Sequence, residues 1–319
     1  MKALTFLKRW SLLVAICIGM TVYLLFANIR VLQPVGDAVG PLLMDGVPGV
    51  LFTLLYVTFC KIDVSEMRPR VWHFIIQLIR ASLAGLTVLL ISLTHDATTK
   101  IVLEGMFVCF ICPTAAAVVV VTEKLGGSIG SLTTFTIIAN LCTMLIVPLF
   151  FPMVERGADI TFLSAAAMVF RNVTVVLVVP LAAALLSRKI IPRFVAWLKQ
   201  FGNLGFYLWC INLAIVTGET TRNICNSTVS GPTMALLLVL PLFVALAQFS
   251  IGKWVGHFFG ASISAGQALG QKNTVVGIWL TISFLNPLAA VAPGAYVVWQ
   301  NLINALQLWY KDKYGTLKW

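Results

Sequence analysis

The chain has 319 residues, of which 60% are hydrophobic and 10% charged, with a formal net charge of +11 and a mean hydropathy of +0.97. A soluble domain is about 45–50% apolar and about 25% charged, so these proportions exclude a water-soluble enzyme or binding module and place the chain in a lipid bilayer. The positive balance does not point to nucleic acid, because the lysines and arginines lie in short tethers between apolar runs, where they set orientation.

Allowing ~20 apolar residues per span, ten segments follow in chain order: 10–29, 40–60, 71–94, 101–125, 129–152, 162–187, 203–221, 232–255, 262–285 and 289–309. The first follows Lys2, Lys8 and Arg9 as a signal peptide would, yet its apolar run exceeds the ~7–15 residues of a signal core and reads as a spanning helix. With the N-terminus inside, fifteen lysines and arginines fall on the cytoplasmic side, and only Arg30, Lys100, Arg156 and Arg222 fall outside. This bias predicts a multi-pass protein of the cell membrane with both termini cytoplasmic. The seven cysteines lie mostly inside apolar runs, so Cys109-Phe-Ile-Cys112 reads as helix packing and no metal site is expected.

Two segments are interrupted. Pro113 breaks the fourth within Cys112-Pro-Thr-Ala-Ala-Ala117, because proline removes an intrahelical donor and clashes with the preceding turn. Gly270-Gln-Lys-Asn-Thr274 breaks the ninth with a glycine and a polar cluster. Each break precedes a span carrying Asn-Leu at a similar offset, 27 positions from Pro113 to Asn140 and 29 from Lys272 to Asn301. Two five-helix halves, 1–157 and 158–319, therefore read as inverted repeats, a common plan among secondary transporters. Lys272 stands out within the ninth segment, since an intramembrane lysine is costly and marks ion or substrate pathways by default.

Two stretches carry a family resemblance. Cys112-Pro-Thr-Ala-Ala-Ala-Val-Val-Val-Val-Thr-Glu-Lys-Leu-Gly-Gly-Ser128, and Gln271-Lys-Asn-Thr-Val-Val-Gly277 through Pro287 to Leu302, resemble the bile acid/sodium symporter family. The resemblance implies an all-α membrane fold of ten helices in two inverted repeats, with the broken fourth and ninth helices crossing at the midplane. It further implies a panel domain of spans 1, 2, 6 and 7, and a core domain of spans 3–5 and 8–10. Members move bile acids or smaller organic anions with sodium by alternating access. Aligned position by position, the family's sodium ligands fall on Val118, Val119 and Ala268, which offer no side-chain oxygen. Gln77 and Thr136 match ligand positions, Lys272 stands where the family has glutamine, and Asn273 and Thr274 keep the residues after it.

Sodium needs about five or six close oxygens, by analogy with other hard cations. An ammonium ~4 Å from a sodium ion would be repelled by about 4 kcal/mol at an effective dielectric of 20. The expectation is therefore a sodium-independent transporter of organic anions in which Lys272, flanked by Gln271, Gln77 and Thr136, replaces the bound cation. Deprotonation of Lys272 would give a proton-coupled version. Pro113, Thr114, Asn273 and Thr274 are expected to line the substrate side, and no cofactor other than sodium or protons is implied. A conventional sodium symporter is the alternative, as is a sensor or channel on the same fold. A structural ion pair from Lys272 to Glu104 or Glu123 is the plainer reading. No GxSxG, HExxH or paired intramembrane carboxylate suggests an enzyme. The sequence leaves substrate and oligomeric state open.

Other residues read more locally. Arg80, one turn from Gln77, either shares a cavity wall with it or pairs with Asp45. Trp72 and His73 read as interfacial, and residues 192–200 as an amphipathic segment on the inner leaflet.

Overall fold

The computed structural model describes residues 10–155, 167, 171, 174–227 and 230–317. Among these residues the regular structure is helical: α1 (Ser11–Asn28), α2 (Gln33–Phe59), α3 (Val71–Leu93), α4 (Ala97–Ile111), α5 (Val118–Leu125), α6 (Ile129–Val154), α7 (Val179–Ile190), α8 (Pro192–Lys199), α9 (Leu204–Cys225), α10 (Gly231–His257), α11 (Ser262–Gly270), α12 (Thr274–Phe284) and α13 (Val291–Tyr314). Short 3-10 turns at Val64–Glu66 and Pro287–Ala290 and a π turn at Thr174–Val178 connect some of them.

Five helices, α1, α2, α3, α6 and α10, are long and apolar enough to cross a membrane, with a sixth if α8 and α9, bent by 72°, form one span. The ten expected spans are therefore not all present as single apolar helices, for identifiable reasons. The fourth and ninth segments are each two short helices. Glu219 and Arg222 lower the hydropathy of α9, and the buried carboxamides Gln300, Asn301, Asn304 and Gln307 do the same for α13. Most of the sixth segment's first half falls outside the described residues.

Helix ends follow local chemistry. Asp96 and Ser128 cap α4 and α6 by accepting from the amides of Thr99 (2.7 Å) and Ser131 (3.0 Å), the ordinary role of such residues at an N-terminus. Gly126 ends α5 with φ 88°, a left-handed conformation that glycine adopts without penalty. Within the helices, Thr58, Thr136, Thr143 and Thr281 return their hydroxyls to carbonyls four residues back, which lets polar side chains sit in apolar surroundings.

Packing divides by partner. α9 lies against α1 and α2, and α2 against α7, whereas α10 packs on α11 and α13, and α3 on α4 and α6. Two glycines permit close approaches near the breaks. A Cβ at Gly277 of α12 would stand 2.5 Å from Cys112 Sγ, and one at Gly105 of α4 would stand 2.7 Å from Ala292 Cβ of α13. Trp72 and His73 are core residues rather than interfacial ones. Trp72 stacks on Phe135 at 5.6 Å, and the His73 ring meets Ser131 Oγ at 3.1 Å while accepting from the Arg70 amide. The 192–200 segment is helix α8, with Val195 and Leu198 buried and Phe194 and Trp197 exposed.

One end of the molecule gathers the basic loops. Lys61, after α2, reaches Glu123 Oε1 on α5 (3.0 Å) and the Gly202 carbonyl before α9 (2.8 Å). Lys124 bonds Asn203, Arg188 reaches the Ile62 carbonyl at 2.7 Å, and Lys311 reaches the Lys124 carbonyl at 2.8 Å. Elsewhere, Lys100 pairs with Glu155 (2.5 Å) and Glu104 (3.8 Å).

Candidate functional site

The two breaks meet. Between α4 and α5 the chain runs extended through Pro113 and Thr114, and between α11 and α12 it does so through Gln271 and Lys272. Thr114 and Lys272 face each other as an antiparallel bridge. The Asn273 amide donates to the Pro113 carbonyl (2.8 Å) and the Ala115 amide to the Gln271 carbonyl (3.3 Å). Backbone groups freed by the breaks thus satisfy each other, as a low-dielectric interior requires. Thr114 Oγ1 adds a third link to the Ala268 carbonyl at 2.6 Å.

Lys272 is 1% exposed, and its Nζ donates to the Phe110 carbonyl at 3.2 Å, in the last turn of α4. A cation on the open carbonyls of a helix C-terminus is a favourable pairing. Among the described residues no carboxylate lies within 4.0 Å of it, because Glu123 is paired with Lys61, and Glu104 with Lys100 and the Asn286 amide. The ion pair to Glu104 or Glu123 is thus absent. The Lys272 backbone is held by Gln300, a side chain that nothing in the sequence pattern sets apart: its amide donates to Gln300 Oε1 (2.8 Å), and Gln300 Nε2 donates back to its carbonyl (3.4 Å). Tyr296 and Gln248 also join the site from outside the expected set. The Tyr296 hydroxyl donates to the Gly270 carbonyl (2.7 Å), and Gln248 Nε2 reaches both Tyr296 (3.0 Å) and the Cys109 carbonyl (3.2 Å). The available signal was their place on α10 and α13, beside the broken helices.

Arg80 is the second buried cation, at 2% exposure. It donates to the Cys112 carbonyl (3.4 Å), Thr143 Oγ1 (3.0 Å) and the Ala139 carbonyl (3.1 Å). The pairing with Asp45 does not form, and Asp45 is exposed on α2.

The remaining candidates divide. Asn273 caps α12 through its side chain, which accepts from the Val276 amide at 3.4 Å, and Thr274 is the first residue of that helix. Val118, Val119 and Ala268 are buried together in one apolar core with Ile76 and Phe135. Thr136 spends its hydroxyl proton on its own helix, and no hydrogen bond joins it or Gln77 to the crossing. Both carboxamide atoms of Gln77, and both of Gln271, are buried with no hydrogen-bond partner. Asn140 and Asn301 behave alike, each returning its amide to the carbonyl four residues back at 2.8 Å.

Two cavities lie away from this crossing. One of about 740 Å³ sits between α1, α2 and α9, rimmed by Glu219 and Arg222. The other, about 270 Å³, sits between α9 and the α12–α13 connection, lined by Thr220, Asn223, Ile282, Pro287 and Gly294. Among the described residues no group of three or more His, Cys, Asp or Glu side chains could hold a metal.

A comparison with curated proteins finds none that matches the chain. A family model does match, over residues 60–308, a stretch that contains both breaks, Arg80, Lys272 and Gln300. The chain, a helical membrane protein with two broken segments joined at their breaks, belongs to the SBF-like CPA transporter family.

Proposed function

We propose that this protein is a secondary transporter of organic anions, working by alternating access without a bound sodium ion. The observation that carries the reading is Lys272 itself. Its ammonium lies fully buried where the two broken segments meet, bonded to a helix-end carbonyl at 3.2 Å, while Val118, Val119 and Ala268 around the crossing contribute no side-chain oxygen. A resident cation in such a place stabilises the crossing as a bound one would, and the positive field favours a carboxylate or sulfonate. Thr114, Asn273 and Thr274 form the edge such a solute would meet. The denser packing of α1, α2, α7 and α9 on one another than on α5 and α13 supports a panel moving against a core.

Uptake into proteoliposomes of a panel of radiolabelled organic anions, with sodium or with choline, tests this. Wild-type transport is expected to be equal in the two salts, and Lys272→Gln to lose at least tenfold or to become sodium-dependent. Unchanged, sodium-insensitive uptake by Lys272→Gln sinks the proposal. Sodium-driven uptake by the wild type would instead favour a conventional symporter, for which the unpaired Oε1 atoms of Gln77 and Gln271 are the available ligands. A proton-coupled version predicts that uptake follows an imposed pH gradient.

A further inference from the structure

We infer that the crossing holds a small inorganic anion, of the halide class, between Arg80 and Lys272. The inference rests on the reading of Lys272 as a charged resident of the crossing, and it adds a ligand that reading does not contain.

Both cations are fully buried, and they bond carbonyls two residues apart at the end of α4, Phe110 for Lys272 and Cys112 for Arg80. Among the described residues neither has a carboxylate within 4.0 Å: the ion pairs join Lys61 to Glu123, Lys100 to Glu104 and Glu155, and Arg222 to Glu219. Helix ends do not compensate them overall. α4 and α11 bring C-termini to the crossing while α5 and α12 bring N-termini, so the partial charges of the four ends cancel to first order. With Lys272 charged, two positive charges remain in a membrane interior, an arrangement that a counter-charge stabilises.

The donors for such an ion are present and unspent. Lys272 uses one of its three N–H groups within the protein. Arg80 Nε is buried without a partner, as are both atoms of the Gln77 and Gln271 carboxamides. Gln77 lies one turn from Arg80 on the buried face of α3, Gln271 adjoins Lys272 at the end of α11, and α3 packs against α11. A monatomic anion is favoured over an organic one because every group named is at most 5% exposed. A halide accepts hydrogen bonds from several directions without bringing unsatisfied donors of its own.

The test is thermal unfolding of the purified full chain in detergent, titrated with sodium chloride or bromide against sodium gluconate at equal ionic strength. Gluconate is too large for a fully buried site. The expected result is a saturable rise of the unfolding midpoint in chloride and bromide that gluconate does not give, since a ligand bound only by the folded state stabilises it by mass action. Lys272→Gln should weaken the apparent halide affinity about tenfold or more, the scale of a lost hydrogen bond to a charged group. Gln271→Met, which keeps both cations, should weaken it by a smaller factor, and it decides the matter if Lys272→Gln does not fold. Identical midpoints in chloride and gluconate, or an identical chloride response in wild type and variants, overturn the inference. Because no transport is measured, a failure here leaves the organic-anion reading standing, and a failure of uptake leaves this site standing.

Discussion

Lys272 could be singled out from the sequence because a lysine in a membrane-length apolar run contradicts its surroundings. Its partners could not be. Gln300 lies 28 positions further on, and a carboxamide in an already polar helix carries no such contradiction. Gln300 nevertheless bonds both the amide and the carbonyl of Lys272. Gln300→Leu should therefore leave a buried amide without an acceptor and destabilise the protein by roughly 1–3 kcal/mol, read as a lower unfolding midpoint. A midpoint equal to wild type would mean that the backbone at Lys272 relaxes freely. Arg80 teaches the same lesson from the other side. Its place within a span is legible in the sequence, but charge alone points to Asp45 as partner, and three oxygens, one at the end of α4 and two of α6, serve it instead.

At the level of elements, Pro113 and the Gly270–Thr274 cluster marked both breaks because each violates a helical rule that needs no tertiary context. What the pattern could not convey is how the polar residues of the long helices are used: α13 buries Gln300, Asn301, Asn304 and Gln307 against its neighbours, whereas α9 leaves Glu219 and Arg222 paired at its accessible end. Trp72 and His73 are core residues for a related reason, since aromatic residues near a helix start look interfacial until a second helix, here α6, covers them. The basic end offers a sharper test. Lys61 ties the end of α2 to both α5 and the start of α9, adding a polar link where these three helices already touch. Lys61→Met and Glu123→Gln should show a coupling of about 0.5–1 kcal/mol in a double-mutant cycle on unfolding, smaller at high salt, as befits a partly exposed pair. Additive effects of the two substitutions would show the pair to be idle and the bridge to rest on the Gly202 contact.

For the whole molecule, the charge bias in the sequence grouped Lys61, Lys124, Arg188 and Lys311 on one side of the membrane, and the fold brings these residues to one end through mutual contacts. The crossing adds a constraint on how the protein is made. Thr114 and Lys272 form their bridge across a sequence separation of 158 positions (272 − 114). At about 5–20 residues per second of synthesis, the first break waits roughly 8–30 s for the strand that satisfies it. During that interval the carbonyls of Pro113 and its neighbours have no partner from the second half, a state that bare hydrocarbon tolerates poorly. The early half should therefore linger beside the insertion machinery instead of moving into lipid. A chain truncated before Ser262 should remain crosslinkable to the insertase and be degraded, whereas a chain extended past Asn301 should be released. Equal release of both lengths would mean that the first break finds another partner while it waits.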